Sequence, residues 1–533
     1  MPYKFISFQS NNCVSECFLK STNMPLTSGD GQHTDVQEKA PGIPISRKLC
    51  YAIGGMPYQM TSNTKGIFIQ IFLLDVVQMS AFYVSIMLFL GRAWDAITDP
   101  LVGYAVSKSG QTRFGKLIPW IVCSAPMGIL SYVMLWYTPR DTMSPVFSFC
   151  WYLSWCCLFD AFMSCYHVPY TSLNMFLGGD QRDRDSATGY RMGMEMFGTL
   201  AGLVIQGQIV GRYHAKRAET CSMLNGSHTL AGNLSYNFTS PLTDTLQNTR
   251  RAYLVAASAL GALYFLCCLT LFLGVKEKLA PLSRLERSTV PYLTSLKLLM
   301  RHTPYVRLVF GFLFASLAFQ VTQGVFAIYC TYVAGMGAYF QHLMLISLSI
   351  ATASVPLWQM LLLKLGKKTT VFIGLSGYIP CLIILYFVKD SFPIFAVIGI
   401  LCGFSLSCLF LLPWSMLPDA VDDFKLKNPS YMDLEPMFYA CFVFFNKFGG
   451  GVSSGASTLA LHFAGYQSGV CMQDPGVVAT LQVIFVPVPI ILLLIGLVLF
   501  YLYPINEEVR QKIKAEIKAA TEMKPDVQTD QYL

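Results

Sequence analysis

"VIFVPVPIILLLIGLVLFYLY", residues 483–503, carries no formal charge. Wound as an α-helix, it is long enough to cross the ~30 Å hydrocarbon layer of a bilayer. Residues 252–275 read the same way. The whole chain of 533 residues agrees, with 54% hydrophobic and only 13% charged residues; a soluble domain carries roughly twice that charged share. A bilayer core offers no hydrogen bonds to an open sheet edge, so the spans must be helical. The expected fold is an all-α polytopic membrane protein. About twelve transmembrane helices are expected, centred near residues 62, 95, 128, 160, 199, 263, 318, 352, 378, 405, 448 and 490.

Lys and Arg in the short loops orient the spans. Lys108, Arg113 and Lys116 follow the second span, Arg182 and Arg184 the fourth, and Lys276 through Arg301 the sixth. Lys364, Lys367 and Lys368 follow the eighth, and Lys425 and Lys427 the tenth. Even-numbered spans therefore exit to the cytosol, and both termini are cytosolic. The net charge of +8 is this topology signal with a basic tail, and no nucleic-acid partner is expected. The outer loop expected at 212–250 holds the glycosylation sequons of Asn225, Asn233 and Asn237, which are modified only on the lumenal side. That implies passage through the endoplasmic reticulum to the plasma membrane. Cys221 and Cys471 are the two cysteines assigned to outer loops. Those loops face an oxidising compartment, so a bridge would tie the loop after span five to the loop after span eleven.

Residues 1–48 are polar, lack a signal-peptide core and read as a disordered cytosolic tail. Arg113-Phe-Gly-Lys follows span two and Lys364-Leu-Gly-Lys-Lys follows span eight; Pro169-Tyr-Thr-Ser-Leu ends span four and Pro413-Trp-Ser-Met-Leu ends span ten. Both pairs are offset by about 250 residues and six spans. Two pseudo-symmetric six-helix halves are expected, at 49–275 and 303–503, with a cytosolic linker at 276–302 and a tail at 504–533 that begins as a short charged helix. Such transporters place substrate near the midplane, between the repeats.

"GRAWDAITDP", residues 91–100, interrupts an apolar run with Arg92, Asp95 and Asp99. A mid-span charge costs ~2.5–3.5 kcal/mol even on the lenient insertion scale. Asp95 and Asp99 are four residues apart and share one helix face. Paired carboxylates with the nearby Thr98 suit a hard cation; alternatively Arg92 neutralises one aspartate and the other faces water. Asp160, Lys65 and Lys447 are isolated mid-span charges, each needing a cavity or a counter-charge. Arg191 and Glu195 are spaced as a salt bridge, structural or functional. His167 fits a packing role. Gly449, Gly450, Gly451, Ser453, Ser454 and Gly455 allow close helix approach. Phe68, Phe410 and Trp414 line an apolar tunnel, face lipid or pack in the core.

The segments GRAWDAITDPLVG, RFGKLIPW, HVPYTSLNMF, RDSATGYRM, LLPWSMLPD and FFNKFGGG resemble the glycoside–pentoside–hexuronide/cation symporters of the major facilitator superfamily. Within that family they look most like the sodium-dependent lysophosphatidylcholine symporters, and next like the sphingosine-1-phosphate exporters. The resemblance covers about residues 48–505. It implies a monomeric symporter that moves lysophospholipids, docosahexaenoyl species included, from the outer to the inner leaflet by alternating access. Sodium is the coupling ion and no other cofactor is implied. Asp95 and Asp99 would be the sodium ligands, and Lys447 would sit near the lipid phosphate. Asp160, Arg191, Glu195, Thr199 and Arg92 would belong to the translocation path, Phe410 and Trp414 to the hydrophobic cleft, and Cys221 and Cys471 to an extracellular disulfide between the halves. Three positions depart from the pattern: Asp160 replaces a Glu, Gln323 stands where a Glu is expected in span seven, and Lys65 where a small residue is expected. The alternatives are lysosphingolipid export or sugar/cation symport on the same fold, or a non-transporting multipass receptor. An enzyme is not expected: a membrane acyltransferase would need a motif such as HxxxxD, and His167 has none.

Overall fold

The computed structural model describes residues 43–139, 144–177, 181–227, 239–276, 292–388, 391–428, 435–467, 470 and 472–522. Among these, secondary structure is helical apart from one isolated bridge between Thr112 and Gly115. In chain order the helices are α1 (Ile45–Ile53), α2 (Met56–Ile71), α3 (Ala81–Lys108), α4 (Ile118–Leu135), α5 (Pro145–Leu173), α6 (Gln181–Ser227), α7 (Thr239–Gly274) and α8 (Tyr292–Arg301). They continue as α9 (Thr303–Tyr332), α10 (Phe340–Leu365), α11 (Lys367–Phe387), α12 (Phe392–Lys427), α13 (Glu435–Phe463), α14 (Pro475–Phe485), α15 (Pro487–Tyr501) and α16 (Glu507–Glu522). A π-helical turn, Phe72–Val76, extends α2.

All twelve expected span centres fall on helices. Nine helical segments among the described residues are long and apolar enough to cross a membrane by length and composition. The remaining expected centres lie on α2, which has only 16 residues, and on α6 and α13, where Arg191 and Glu195, and Asn446 and Lys447, dilute the apolar signal. Local chemistry sets the helix ends. Ser144 caps α5 by accepting the Phe147 amide at 3.3 Å, and Pro145 follows at the first turn, where its missing N–H is not needed. Val486 and Pro487 break the last span into α14 and α15.

The chain packs as two compact units, formed by residues 43–276 and by residues 292–467 with 472–522. In the first, α4 packs on α5, α3 on α5, α2 on α6 and α4 on α7. In the second, α11 packs on α12, α10 on α12, α9 on α13 and α11 on α15. Shifted by six spans, these are the same pairings, so the weak sequence repeat is a repeat of helix packing. The repeated loop motifs have a physical basis too. Thr112 and Gly115 close a tight turn with amide bonds of 3.0 and 3.1 Å, and Gly115 sits at φ 106°. Gly366, its counterpart between α10 and α11, sits at φ 81°. Both links need the left-handed backbone that favours glycine.

Two expected boundaries differ. Helix α6 continues to Ser227 and α7 begins at Thr239, so much of the segment 212–250, expected as a loop, is helical. Residues 212–225 are polar but rich in Ala, Lys, Arg and Met, with no Pro or Gly to stop a helix. The end of the expected linker is likewise helical, as α8. The short charged helix expected in the tail is α16.

Candidate functional site

Helices α3 and α5 lie in a fixed parallel register. A Cβ on Gly91 would sit 3.0 Å from Cys156 Sγ, and eight residues on, Ser164 Oγ donates to Asp99 Oδ1 at 2.6 Å. Both contacts share one residue offset, which sets Asp95 opposite Asp160. Cys156, Asp160 and Ser164 recur every four residues on α5 and form one polar stripe along it.

Two hydroxyls, those of Thr98 and Ser164, lie beside the aspartates. The Ser164 hydroxyl hydrogen goes to Asp99, and its oxygen lies 3.3 Å from Thr98 Oγ1. Thr98 Oγ1 donates to the Asp95 carbonyl at 3.1 Å. Pro100 lacks the amide that would bond to the Ala96 carbonyl, which leaves another oxygen one residue from Asp95 without its helical partner. Among the described residues no three His, Cys, Asp or Glu side chains gather closely enough to hold a metal ion by themselves. A sodium ion at Asp95 and Asp99 would thus be completed by neutral oxygens, which suits a hard monovalent cation.

Lys65, on α2, is buried and bonds through Nζ to Asp160 Oδ1. The ammonium also lies 3.7 Å from Cys156 Sγ and 5.2 Å from the Phe159 ring centroid. Asp160 feels the charges of Lys65, Asp95 and Arg92. Arg92 itself packs toward α2, its Nη2 3.2 Å from where a Gly66 Cβ would stand. The isolated charges at Lys65 and Asp160 are therefore each other's counter-charge. Sequence reading did not pair them; it also passed over Ser164 and Cys156, although their four-residue spacing from Asp160 was visible.

Arg191 and Glu195 form the expected i,i+4 ion pair on α6, with Nε 3.3 Å from Oε1. Arg191 Nη1 also donates to Tyr51 Oη at 3.4 Å. Thr199 donates to the Glu195 carbonyl at 3.1 Å and accepts from Asn63 Nδ2 at 3.1 Å. This patch stitches α1 and α2 to α6. His167 stacks on Tyr58 with centroids 3.7 Å apart, and Phe68 is buried in the core.

In the second unit, Lys447 is half-buried on α13. Its neighbour Asn446 accepts from Ser316 Oγ at 2.6 Å, and Gln320 Nε2 donates to the same serine at 2.9 Å. A Cβ on Gly450 would overlap the Gln320 amide, so the glycine run lets α9 approach α13. Gln323 lies half-buried on α9, one turn beyond Gln320. Trp414, on α12, is 45% exposed and meets the Phe442 ring edge-on. The side chains of Phe410, Cys221 and Asn225, and all of Asn233, Asn237 and Cys471, lie outside the described residues.

Two helical units that repeat the same packing, with buried charge inside the first, have the architecture of a transporter of the major facilitator type. The family described as MFS/sugar transport protein matches residues 50–507, and the chain belongs to it. The chain is 45% identical over 506 residues to the sodium-dependent lysophosphatidylcholine symporter 1 of Xenopus tropicalis, covering 95% of this chain and 94% of that protein. It is 41% identical over 476 residues to the sphingosine-1-phosphate transporter MFSD2B of Xenopus tropicalis, covering 89% and 91%. A solved bacterial homologue of the human lysosomal transporter Spinster shares the fold at a TM-score of 0.59 and 12% identity, covering 88% of this chain and 97% of that one.

Proposed function

We propose that this chain is a sodium-coupled symporter that carries lysophosphatidylcholine from the outer to the inner leaflet of the plasma membrane. The observation that carries the reading is the register of α3 on α5, which gathers Asp95, Asp99, Thr98 and Ser164 into an oxygen-lined charge cluster within apolar spans. The lipid assignment draws on the relatives named as sodium-dependent lysophosphatidylcholine symporters. Sodium bound at Asp95 and Asp99 offsets buried negative charge, and the inward sodium gradient drives uptake. Lys447 serves the lipid phosphate as a compact point charge, and Phe410 and Trp414 serve the acyl chain.

The test is uptake of labelled lysophosphatidylcholine by cells expressing the chain, with sodium replaced by choline. Uptake should collapse in choline; undiminished uptake removes sodium coupling. The relative named as a sphingosine-1-phosphate transporter makes export of that lipid the competing reading. Sodium-independent release of labelled sphingosine-1-phosphate, without lysophosphatidylcholine uptake, would establish it instead.

Cys221 and Cys471 form an extracellular disulfide in this reading. Replacing either by Ser should expose one new maleimide-reactive outer thiol, that of its partner. Labelling of both cysteines in the unreduced parent protein would rule the bridge out.

A further inference from the structure

We propose that Lys65 is a tethered cation that balances the charge of Asp160 and thereby sets the sodium affinity of the neighbouring aspartates.

Lys65 is held in a buried cage. Only 7% of the residue is exposed, its ammonium bonds to Asp160, and the Phe159 ring and Cys156 thiol cover it. Holding α2 against α5 does not require charge, since an apolar pair of similar volume commonly stabilises as well as a buried ion pair. What the charge does change is the field at its neighbours. The α3–α5 register places Asp160 across from Asp95, and the other Asp160 oxygen meets the Cys156 thiol at 3.7 Å, a weak donor. Lys65, Asp95 and Arg92 act on Asp160, and Asp99 joins them one turn along α3 through Ser164, so three carboxylates stand against two cations. That leaves one net negative charge, the amount one sodium ion balances. Without Lys65 the cluster would carry two, and a sodium ion at Asp95 and Asp99 would be held more tightly. Lys65 thus keeps the ion loosely enough bound to be released on the cytosolic side.

The inference rests on the reading of Asp95 and Asp99 as the ion ligands. Its test is equilibrium binding of radioactive sodium to the purified full-length chain in lipid nanodiscs, which does not depend on transport. Lys65→Met should bind sodium about tenfold more tightly, from removal of one nearby positive charge in a medium of low effective dielectric. Lys65→Met combined with Asp160→Asn removes both charges of the pair and should return the affinity to within roughly twofold of the parent, because the net charge of the cluster is restored. A purely structural ion pair would not show this rescue. Unchanged affinity in Lys65→Met overturns the proposal, as does tight binding that persists in the double variant. If Lys65→Met does not fold, Asp160→Asn decides: it leaves the cluster with no net charge, so sodium should bind about tenfold more weakly, and parental affinity overturns the proposal. Asp95→Asn or Asp99→Asn with parental sodium binding would overturn the ligand reading itself, a different result from an unresponsive Lys65→Met.

Discussion

Asp95→Asn or Asp99→Asn should leave the protein at the cell surface while sodium-driven uptake falls by about one to two orders of magnitude, the worth of a charge-assisted ligand at roughly 1.5–3 kcal/mol. Asn keeps the shape of Asp and one carbonyl oxygen, so the α3–α5 packing through Ser164 and Thr98 is preserved. What it removes is the charge that makes a dehydrated sodium ion worth binding in an apolar span. The two variants should also differ. Asp99 receives the Ser164 hydroxyl directly, and its Asn variant can turn an amide donor toward that serine, whereas Asp95 stands opposite Asp160, so its loss also relieves repulsion between carboxylates. Asp95→Asn should accordingly express better than Asp99→Asn. Uptake assays with surface biotinylation check both points, and full sodium-dependent uptake in either variant would remove the aspartates from the ion site.

Lys447→Ala should abolish lysophosphatidylcholine uptake, and saturating sodium should not restore it. A mid-span ammonium has to be answered by some charge or dipole. A phosphate is the ligand chemistry that fits the role. Lys447→Arg should also fail substantially, because a planar fork does not substitute for a compact point charge. Sodium affinity should stay near the parental value. Parental lipid affinity together with raised sodium affinity in Lys447→Ala would instead assign the ammonium to the aspartates as their counter-charge.

The spans were legible because bilayer insertion demands long apolar helices; every expected centre fell on a helix, and nine fell on one long and apolar enough to cross. Where span boundaries slipped, as at 212–227, the chain leaves the apolar layer without leaving the helix, and hydropathy reports only the first event. The paired aspartates were legible for a local reason: two carboxylates four residues apart on one helix need no partner helix to be noticed. The Lys65–Asp160 bond was not, because its two ends are ninety-five residues apart in sequence and each alone reads only as an expensive charge. Ser164 was hidden for the same reason, since a serine in an apolar helix gains meaning only from the register of α5 against α3. The glycines of the two loop motifs fall between these cases: the repeat was visible, while the positive φ that requires it was not.

The carboxyl-terminal helix bears on how the protein can be handled in the laboratory. Arg510 of α16 reaches Asp419 at 3.3 Å, the same carboxylate that Lys367 holds at 2.6 Å. Lys368 closes the preceding span by donating to the carbonyls of Tyr501 and Tyr503 at 2.8 and 2.7 Å. Asp419 is thus a rivet through α11, α12 and α16, and it lies in the Pro-Trp-Ser-Met-Leu-Pro-Asp stretch at the end of its span. A fluorescent reporter or affinity handle joined after residue 522 leaves the rivet intact. One spliced at residue 505 deletes Arg510, so a shortened version designed for crystallisation or imaging should keep the whole of α16.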